Sequence, residues 1–374
     1  MPHALDILAP EERVSLTLRE LYERYGYKKY RMGQFEEYGL YMEHKNFLSS
    51  ESVIAFTDLD GRLMALKPDV TLSIVRHAAK EPALPEKLYY MESVYRPSAE
   101  SHTFREISQM GLEYIGAIDR YAVSEVAVLA AESLSQVGPT YLLEMSHMGF
   151  GVALLDALGL TDGLRTRALA ALEQKNASAL AAVAAEAELS GADAAALTAL
   201  PALYGPFQDT LDQARRLCRG AEMVQALDEL EQVYAAAGAV GCGDRLQLDF
   251  SLLGATDYYN GILFRGYLEG LPRPVLVGGR YDGILRKLGK AGGGVGFALQ
   301  LSELSRLPVR RREADVDLLL RYEPDTDPAL VMKAVAEAAA RGLRIRALAE
   351  CEDTGELRVG KTCRVTREGG VEPC

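Results

Sequence analysis

The chain predicts an α+β fold: an antiparallel sheet flanked by helices, with a helical insertion and a small C-terminal βαβ appendix. Three stretches carry that expectation. Residues 89–116 read as a long hairpin, because two runs rich in Tyr, Val and Ile flank a polar join from Pro97 to Thr103. Residues 150–238 are rich in Ala and Leu and helical in period, with breaks at Gly163, Gly191, Pro201 and Pro206. Sheet character returns at Leu246–Leu253, and a strand–helix–strand pattern follows the charged linker Arg310-Arg311-Arg312-Glu313. The division this implies is a core in two parts, residues 1–149 and 241–309, around an insertion at 150–240, with an appendix at 314–374.

Each element has a local signal. Residues 9–25 begin Ala9-Pro10-Glu11-Glu12, acidic first-turn chemistry, and carry Val14, Leu16, Leu18, Leu21 and Tyr22 at near-helical spacing up to Gly26. Tyr27–Arg31 reads as a short strand, while Met42–Leu48 and Ser52–Ala55 fit either class. Val53–Thr57 and Arg62–Leu66 form a second hairpin across Asp58-Leu59-Asp60-Gly61, since Asp-Gly before alternating apolar residues is a strong turn signal. Pro68 stops that ladder, and Asp69 and Thr71 can cap a helix at Leu72–Ala79. A helix from Arg120 to about Val137 and a strand at Tyr141–Ser146 lead into the insertion.

Beyond the insertion, strands are expected at Gly261–Tyr267 and Val275–Val277, a helix at Ile284–Leu288, and a last helix at Leu299–Leu307 behind Gly292-Gly293-Gly294-Val295-Gly296. The appendix predicts strands at Val316–Arg321 and Leu343–Leu348 around a helix at Ala329–Arg341, then short strands at Leu357–Val359 and Thr362–Val365.

Composition excludes several functions. The 374 residues, 48% of them hydrophobic, suffice for a large core and two or three domains. A net charge of -12 and a pI near 5.1 argue against nonspecific binding to nucleic acid or to a membrane surface. No apolar run approaches the ~20 residues that cross a bilayer, and the start lacks a charged segment followed by an apolar one. A soluble, cytoplasmic protein is expected. The five cysteines are scattered without a CxxC pair, which favours reduced thiols and no zinc. The five histidines form no ligand-spaced pair, so no metal is expected. Neither a P-loop nor a GxGxxG after a strand is present, and no cofactor is expected.

The candidate site lies on the long hairpin. Arg105, Ile107, Gln109, Gly111 and Glu113 share one face of its return strand. Gln109 and Glu113, with a glycine between, make a floor for a small cationic or amide-bearing ligand; a solvated sheet face accounts for the pattern equally well. An Asn-Gly turn beside Tyr258 and Tyr259 is expected to put one ring on each face of the sheet. Gly278 and Gly279, before Arg280-Tyr281-Asp282-Gly283, let another backbone or a ligand come close.

These three motifs, in this order around a helical insertion, resemble the catalytic core of histidyl-tRNA synthetase over about residues 5–307. The resemblance implies the class II aminoacyl-tRNA synthetase fold, normally dimeric, and a pocket for free histidine. Asp69 and Thr71 match the acidic residue and threonine that hold the amino group, in Lys67-Pro68-Asp69-Val70-Thr71. Gln109 and Glu113 match the polar pair of the hairpin, and Tyr258 and Tyr259 the tyrosines around the imidazole, with Tyr281 nearby. Arg96 matches the first hairpin arginine, and Arg105 resembles a second.

The departures concern ATP. The arginine before the family's Asp-Tyr-Tyr turn is replaced by Gly254, and the arginine closing the last motif by Glu303. Lys67 stands for the arginine of the Arg-Pro-Glu segment, and Gly33 for a proline of the first motif. Adenylation develops charge on phosphate, so each lost donor implies a cost on the order of 10² in rate. The tail is also too short for a full anticodon-binding domain. A kept histidine pocket with a dismantled adenylation apparatus resembles the synthetase-like regulatory subunits of ATP phosphoribosyltransferase. That resemblance implies no catalytic residues of its own and a short-form catalytic subunit as partner. It further implies histidine as feedback ligand, a homodimer within a hetero-oligomer, and no tRNA binding. An active histidyl-tRNA synthetase, and a synthetase paralogue acting on another macromolecule, remain the competing expectations.

Overall fold

A computed structural model describes residues 8–42, 53–80, 84–98, 103–252, 258–307 and 314–373. Glu11–Leu307 forms one compact unit, and the C-terminal elements from Val316 onward form a second.

The large unit is organised on a sheet of nine strands among the described residues. Their order is Lys28–Lys29, Glu86–Ser98, Thr103–Gly116, Gly293–Gln300, Leu276–Arg280, Ile262–Leu268, Tyr141–His147, Leu246–Asp249 and Tyr204–Pro206. Two neighbouring pairs are parallel, Lys28–Lys29 with Glu86–Ser98 and Tyr141–His147 with Leu246–Asp249; the rest are antiparallel. The long hairpin runs further than its sequence suggests. Pro97 pairs with Phe104 near the tip, so it sits in a strand.

Alternation on this hairpin divides the large unit into two layers. Met110, Leu112 and Tyr114 point into the main core, where they meet the apolar stripe of the helix Arg120–Val137. Asp119 caps that helix by accepting the Ala122 N–H at 2.8 Å. The helix Pro10–Arg24 buries Val14, Leu18 and Tyr22, one turn apart, in the same core. Burying each of the latter two contributes on the order of 2 kcal/mol. On the opposite face Tyr90, Val94 and Ile115 pack with Leu72, Ile74 and Val75 of the helix Thr71–His77 and with Ile284 and Leu285.

Several expectations change in detail. Asp69 does serve the helix Thr71–His77, its carboxylate accepting the Leu72 N–H at 2.8 Å, but Thr71 is the first helical residue and sends its hydroxyl elsewhere. A strand at Phe35–Glu37 and a short helix at Tyr38–Met42 were not expected. The helical stretch after residue 150 contains a strand, Tyr204–Pro206, which joins the edge of the large sheet. The strand expected at Leu246–Leu253 ends at Asp249, whose carboxylate accepts from the Ser251 N–H and hydroxyl and turns the chain. The largest change concerns Gly293–Gln300, which is a central strand, leaving only Leu301–Leu304 helical. Gly254, most of Met42–Leu48 and the linker Arg310–Glu313 lie outside the described residues.

In the second unit the strands run in the order Ile345–Ala349, Val316–Tyr322, Val359–Val365 and Val371–Pro373, the first three mutually parallel. Val359–Val365 is one strand where two short ones were expected. The helix Pro328–Ala340, with Pro328 at its first position and Asp327 accepting the Ala329 N–H, presses Val331, Ala334 and Ala338 onto Leu318 and Leu320. Among the described residues, no helix is long and apolar enough to cross a membrane.

Candidate functional site

A cavity of about 380 Å³ opens above the hairpin face. It gathers Asp69, Thr71, Arg96, Gln109, Glu113, Tyr258, Tyr259 and Tyr281, eight of the nine candidates. Its size falls within the range of small-molecule sites.

Glu113 is the centre. Its side chain is 2% exposed and accepts the Thr71 hydroxyl at 2.7 Å and the Tyr281 hydroxyl on its other oxygen. Burial pushes its carboxyl up to about 8; the two donors and the neighbouring Asp69 are smaller influences. Burial also raises Asp69, against the pull of the Arg96 guanidinium, whose nearest nitrogen is 4.0 Å away. The Glu113 carboxyl is thereby ready to ionise when a cation arrives between it and Asp69. Burial raises the phenols of Tyr258, Tyr259, Tyr281 and Tyr90 as well, so all four remain hydrogen-bond donors.

The aromatic wall differs from the expected one. Tyr258 and Tyr259 lie in the turn before Ile262–Leu268, not in a strand, so they do not alternate across the sheet. Their ring centroids are 4.6 Å apart, and both line the cavity. Tyr281 stands 6.1 Å from Tyr258. The floor also differs. The space above Gly111 is filled by Tyr90, whose hydroxyl would lie 2.6 Å from an added Cβ. The bed lies one strand over. A Cβ on Gly296 would come within 1.9 Å of the Glu113 carboxylate, and one on Gly294 within 2.3 Å of the Tyr281 ring. This explains why a central strand is so rich in glycine.

The arginines part company. Arg96 and Arg105 face each other across the hairpin register. Arg96 turns into the cavity and donates from Nε to the Pro68 carbonyl at 2.9 Å. Arg105 does not reach it. It lines a neighbouring cleft with Arg273, Arg306 and Glu303. Glu303 is there, paired with Arg306 at 2.8 Å. Lys67 is not directed at either opening; it is 1% exposed and ion-paired with Glu92.

Two polar side chains of the cavity escaped the sequence reading. Tyr90 was within reach, since it shares a strand face with Arg96 by alternation. Gln300, opposite Gln109 in register, lines both openings, but no local signal marks it. Among the described residues no group of His, Cys, Asp or Glu could hold a metal.

The mixed sheet flanked by helices, with this pocket on the face away from the main core, defines the class II aminoacyl-tRNA synthetase-like fold. A family model described as histidyl-tRNA synthetase matches residues 7–304. An ATP phosphoribosyltransferase regulatory subunit of Moorella thermoacetica is 31% identical, with 91% of this chain and 89% of that one covered. A solved ATP phosphoribosyltransferase regulatory subunit/histidyl-tRNA synthetase from Bacillus halodurans superposes with a TM-score of 0.76 at 24% identity, covering 93% and 90% of the two chains. The ATP phosphoribosyl transferase (HisG:HisZ) complex of Thermotoga maritima gives 0.62 at 17% identity, covering 78% of this chain and 97% of that one. The chain belongs to the histidyl-tRNA synthetase-like family of ATP phosphoribosyltransferase regulatory subunits.

Proposed function

We propose that this chain is a non-catalytic subunit that switches on a short-form ATP phosphoribosyltransferase and reports free histidine to it. The observation that carries the reading is the pairing of Asp69 and Glu113, two carboxyls raised by burial, beside the rings of Tyr258, Tyr259 and Tyr281. An ammonium suits the carboxyls, and an imidazole suits aromatic walls and the Gln109 amide. In this reading Asp69, Thr71 and Glu113 hold the amino group and Arg96 faces the carboxylate. Positive charge for adenylation is lacking at two matching positions: Lys67 is tied up by Glu92, and Glu303, paired with Arg306, puts an anion where the family keeps an arginine. The names of the relatives support the partner, and a homodimer inside a hetero-oligomer is part of the same reading.

The test is to mix the purified chain with a short-form catalytic subunit and follow phosphoribosyl transfer with and without histidine. Transfer is expected only when both subunits are present, and histidine is expected to suppress it. ATP–pyrophosphate exchange or tRNA charging by the chain alone would overturn the reading in favour of an active synthetase.

A further inference from the structure

The aromatic wall of the pocket is held by polar bonds that lead through Arg280 toward the helix Ala221–Ala239. Asn260 directly follows Tyr258 and Tyr259. Its N–H donates to the Arg280 carbonyl at 3.0 Å, its side-chain oxygen accepts the Asp282 N–H at 2.9 Å, and its amide donates to the Asp282 carboxylate at 3.2 Å. The other Asp282 oxygen accepts the Gly294 N–H at 3.2 Å, on the strand over which the Tyr281 ring lies. One carboxylate thus fixes both sides of the wall.

Arg280 extends this framework. Its Nε donates to Asp282 at 2.9 Å, and its stem lies over Gly261, where a Cβ would meet it at 2.8 Å. One terminal nitrogen reaches to 4.0 Å from Oε1 of Glu229, on the helix Ala221–Ala239. That oxygen is buried and has no hydrogen-bond partner among the described residues. Its twin accepts from His147 Nε2 at 3.2 Å. The His147 proton sits on Nε2 because Nδ1 accepts the Gly149 N–H at 3.1 Å. His147 ends the strand next to Ile262, and Met148 donates to the Gly261 carbonyl at 2.8 Å, which closes the circuit on the turn. Arg280 is shared between two carboxylates, well bonded to one and just short of the other. A buried acceptor left without a partner is uncommon, because its desolvation is uncompensated. A small shift of Arg280 would satisfy it.

We propose that Asp282 and Arg280 are positioning residues for the tyrosine wall, and that Glu229 relays the state of that wall to the helix Ala221–Ala239. The positioning half stands on the bonds alone; the relay of histidine occupancy rests on the function proposed above. When the wall closes on a ligand, Asn260 and Asp282 move with it, Arg280 approaches Glu229, and the helix is held more tightly.

Hydrogen exchange read by mass spectrometry tests both halves on the full-length chain. Without ligand, Asp282→Asn is expected to speed exchange at the Asn260 and Gly294 amides about fivefold, the size expected for weakening one charged contact in the network. Glu222→Gln, on the helix Ala221–Ala239 but outside the network, should leave both unchanged. Equal rates at these amides in the wild type and Asp282→Asn would overturn the positioning half whatever histidine does. With histidine, the wild type should show slowed exchange across Ala221–Ala239, and Glu229→Gln should bind histidine calorimetrically yet lose that slowing. Slowing that persists in Glu229→Gln overturns the relay, as does its absence in a wild type that binds histidine. Absence of calorimetric binding by the wild type would instead refute the histidine reading, and the ligand-free comparison would still decide the positioning claim.

Discussion

The Thr71 hydroxyl donates to the Glu113 carboxylate at 2.7 Å, joining the first residue of a helix to the middle of a strand 42 positions later. With Tyr281 on its second oxygen, Glu113 has both oxygens occupied, and burial still holds its carboxyl up to about 8. At pH 7 the group is therefore mainly protonated in the free protein. A histidine ammonium placed beside it favours the ionised form, so binding should release a proton. Calorimetric titrations at pH 7 in two buffers of different ionisation enthalpy should differ by nearly one proton per site. In Glu113→Gln the difference should vanish and the affinity should fall by about tenfold or more. Identical heats for the wild type in both buffers would contradict this assignment.

The same group sets a direction for stability against pH. The carboxyl is raised in the folded state above its ordinary value of 4.5, so the folded protein binds the proton more tightly than the unfolded chain. Its contribution is complete below about pH 4.5 and is lost as pH rises through about 8. The loss across that window is on the order of 3–5 kcal/mol. Glu113→Gln, which cannot ionise, should flatten this slope. Urea denaturation at a series of pH values, wild type against variant, measures it. A wild type that gains stability between pH 6 and 8.5 relative to Glu113→Gln would have the opposite sign.

The glycine bed should behave unlike other glycines. Gly296→Ala drives a methyl to within 2.3 Å of the Leu112 carbonyl as well as onto Glu113, and a backbone atom in a central strand cannot step aside. We expect a loss of about 2–3 kcal/mol and of histidine response together. Gly283→Ala, in the helix Asp282–Lys287 with nothing within 4 Å of the new atom, should stabilise the protein by about 0.5–1 kcal/mol. Thermal unfolding of the two variants makes the comparison.

This bed also shows where the sequence stops being informative. Alternating Tyr, Val and Ile made the long hairpin legible, and the site residues on it followed from a period of two. The strand Gly293–Gln300 does alternate Val295, Phe297 and Leu299, but the glycines around them read as a loop, because those small residues answer to Tyr281 and Glu113, which approach from other elements. For the same reason the pairing of Tyr258 with Tyr259 on one side could not be read: alternation applies to strands, and these residues lie in a turn. That Arg105 lies in the adjoining cleft could not be read either, because register fixes which residues face each other and not where long side chains then bend. Lys67 looked like a weakened phosphate ligand only while Glu92 was out of sight.

The Lys67–Glu92 pair gives the last prediction. Lys67 is 1% exposed, whereas the Glu92 side chain keeps 15% of its surface in contact with solvent. Removing one partner should therefore cost unequal amounts. Glu92→Leu strands a buried ammonium and should destabilise by about 3–5 kcal/mol, whereas Lys67→Met leaves a carboxylate that water can still reach and should cost less. The double variant replaces both charges by apolar groups of similar volume, and its stability should return to within about 1–2 kcal/mol of the wild type. Lys67→Arg, which restores the synthetase residue type, should stay paired with Glu92 and yield no ATP–pyrophosphate exchange. Denaturation of the four proteins in a double-mutant cycle measures the coupling; strictly additive losses would mean that the pair does not act as a unit.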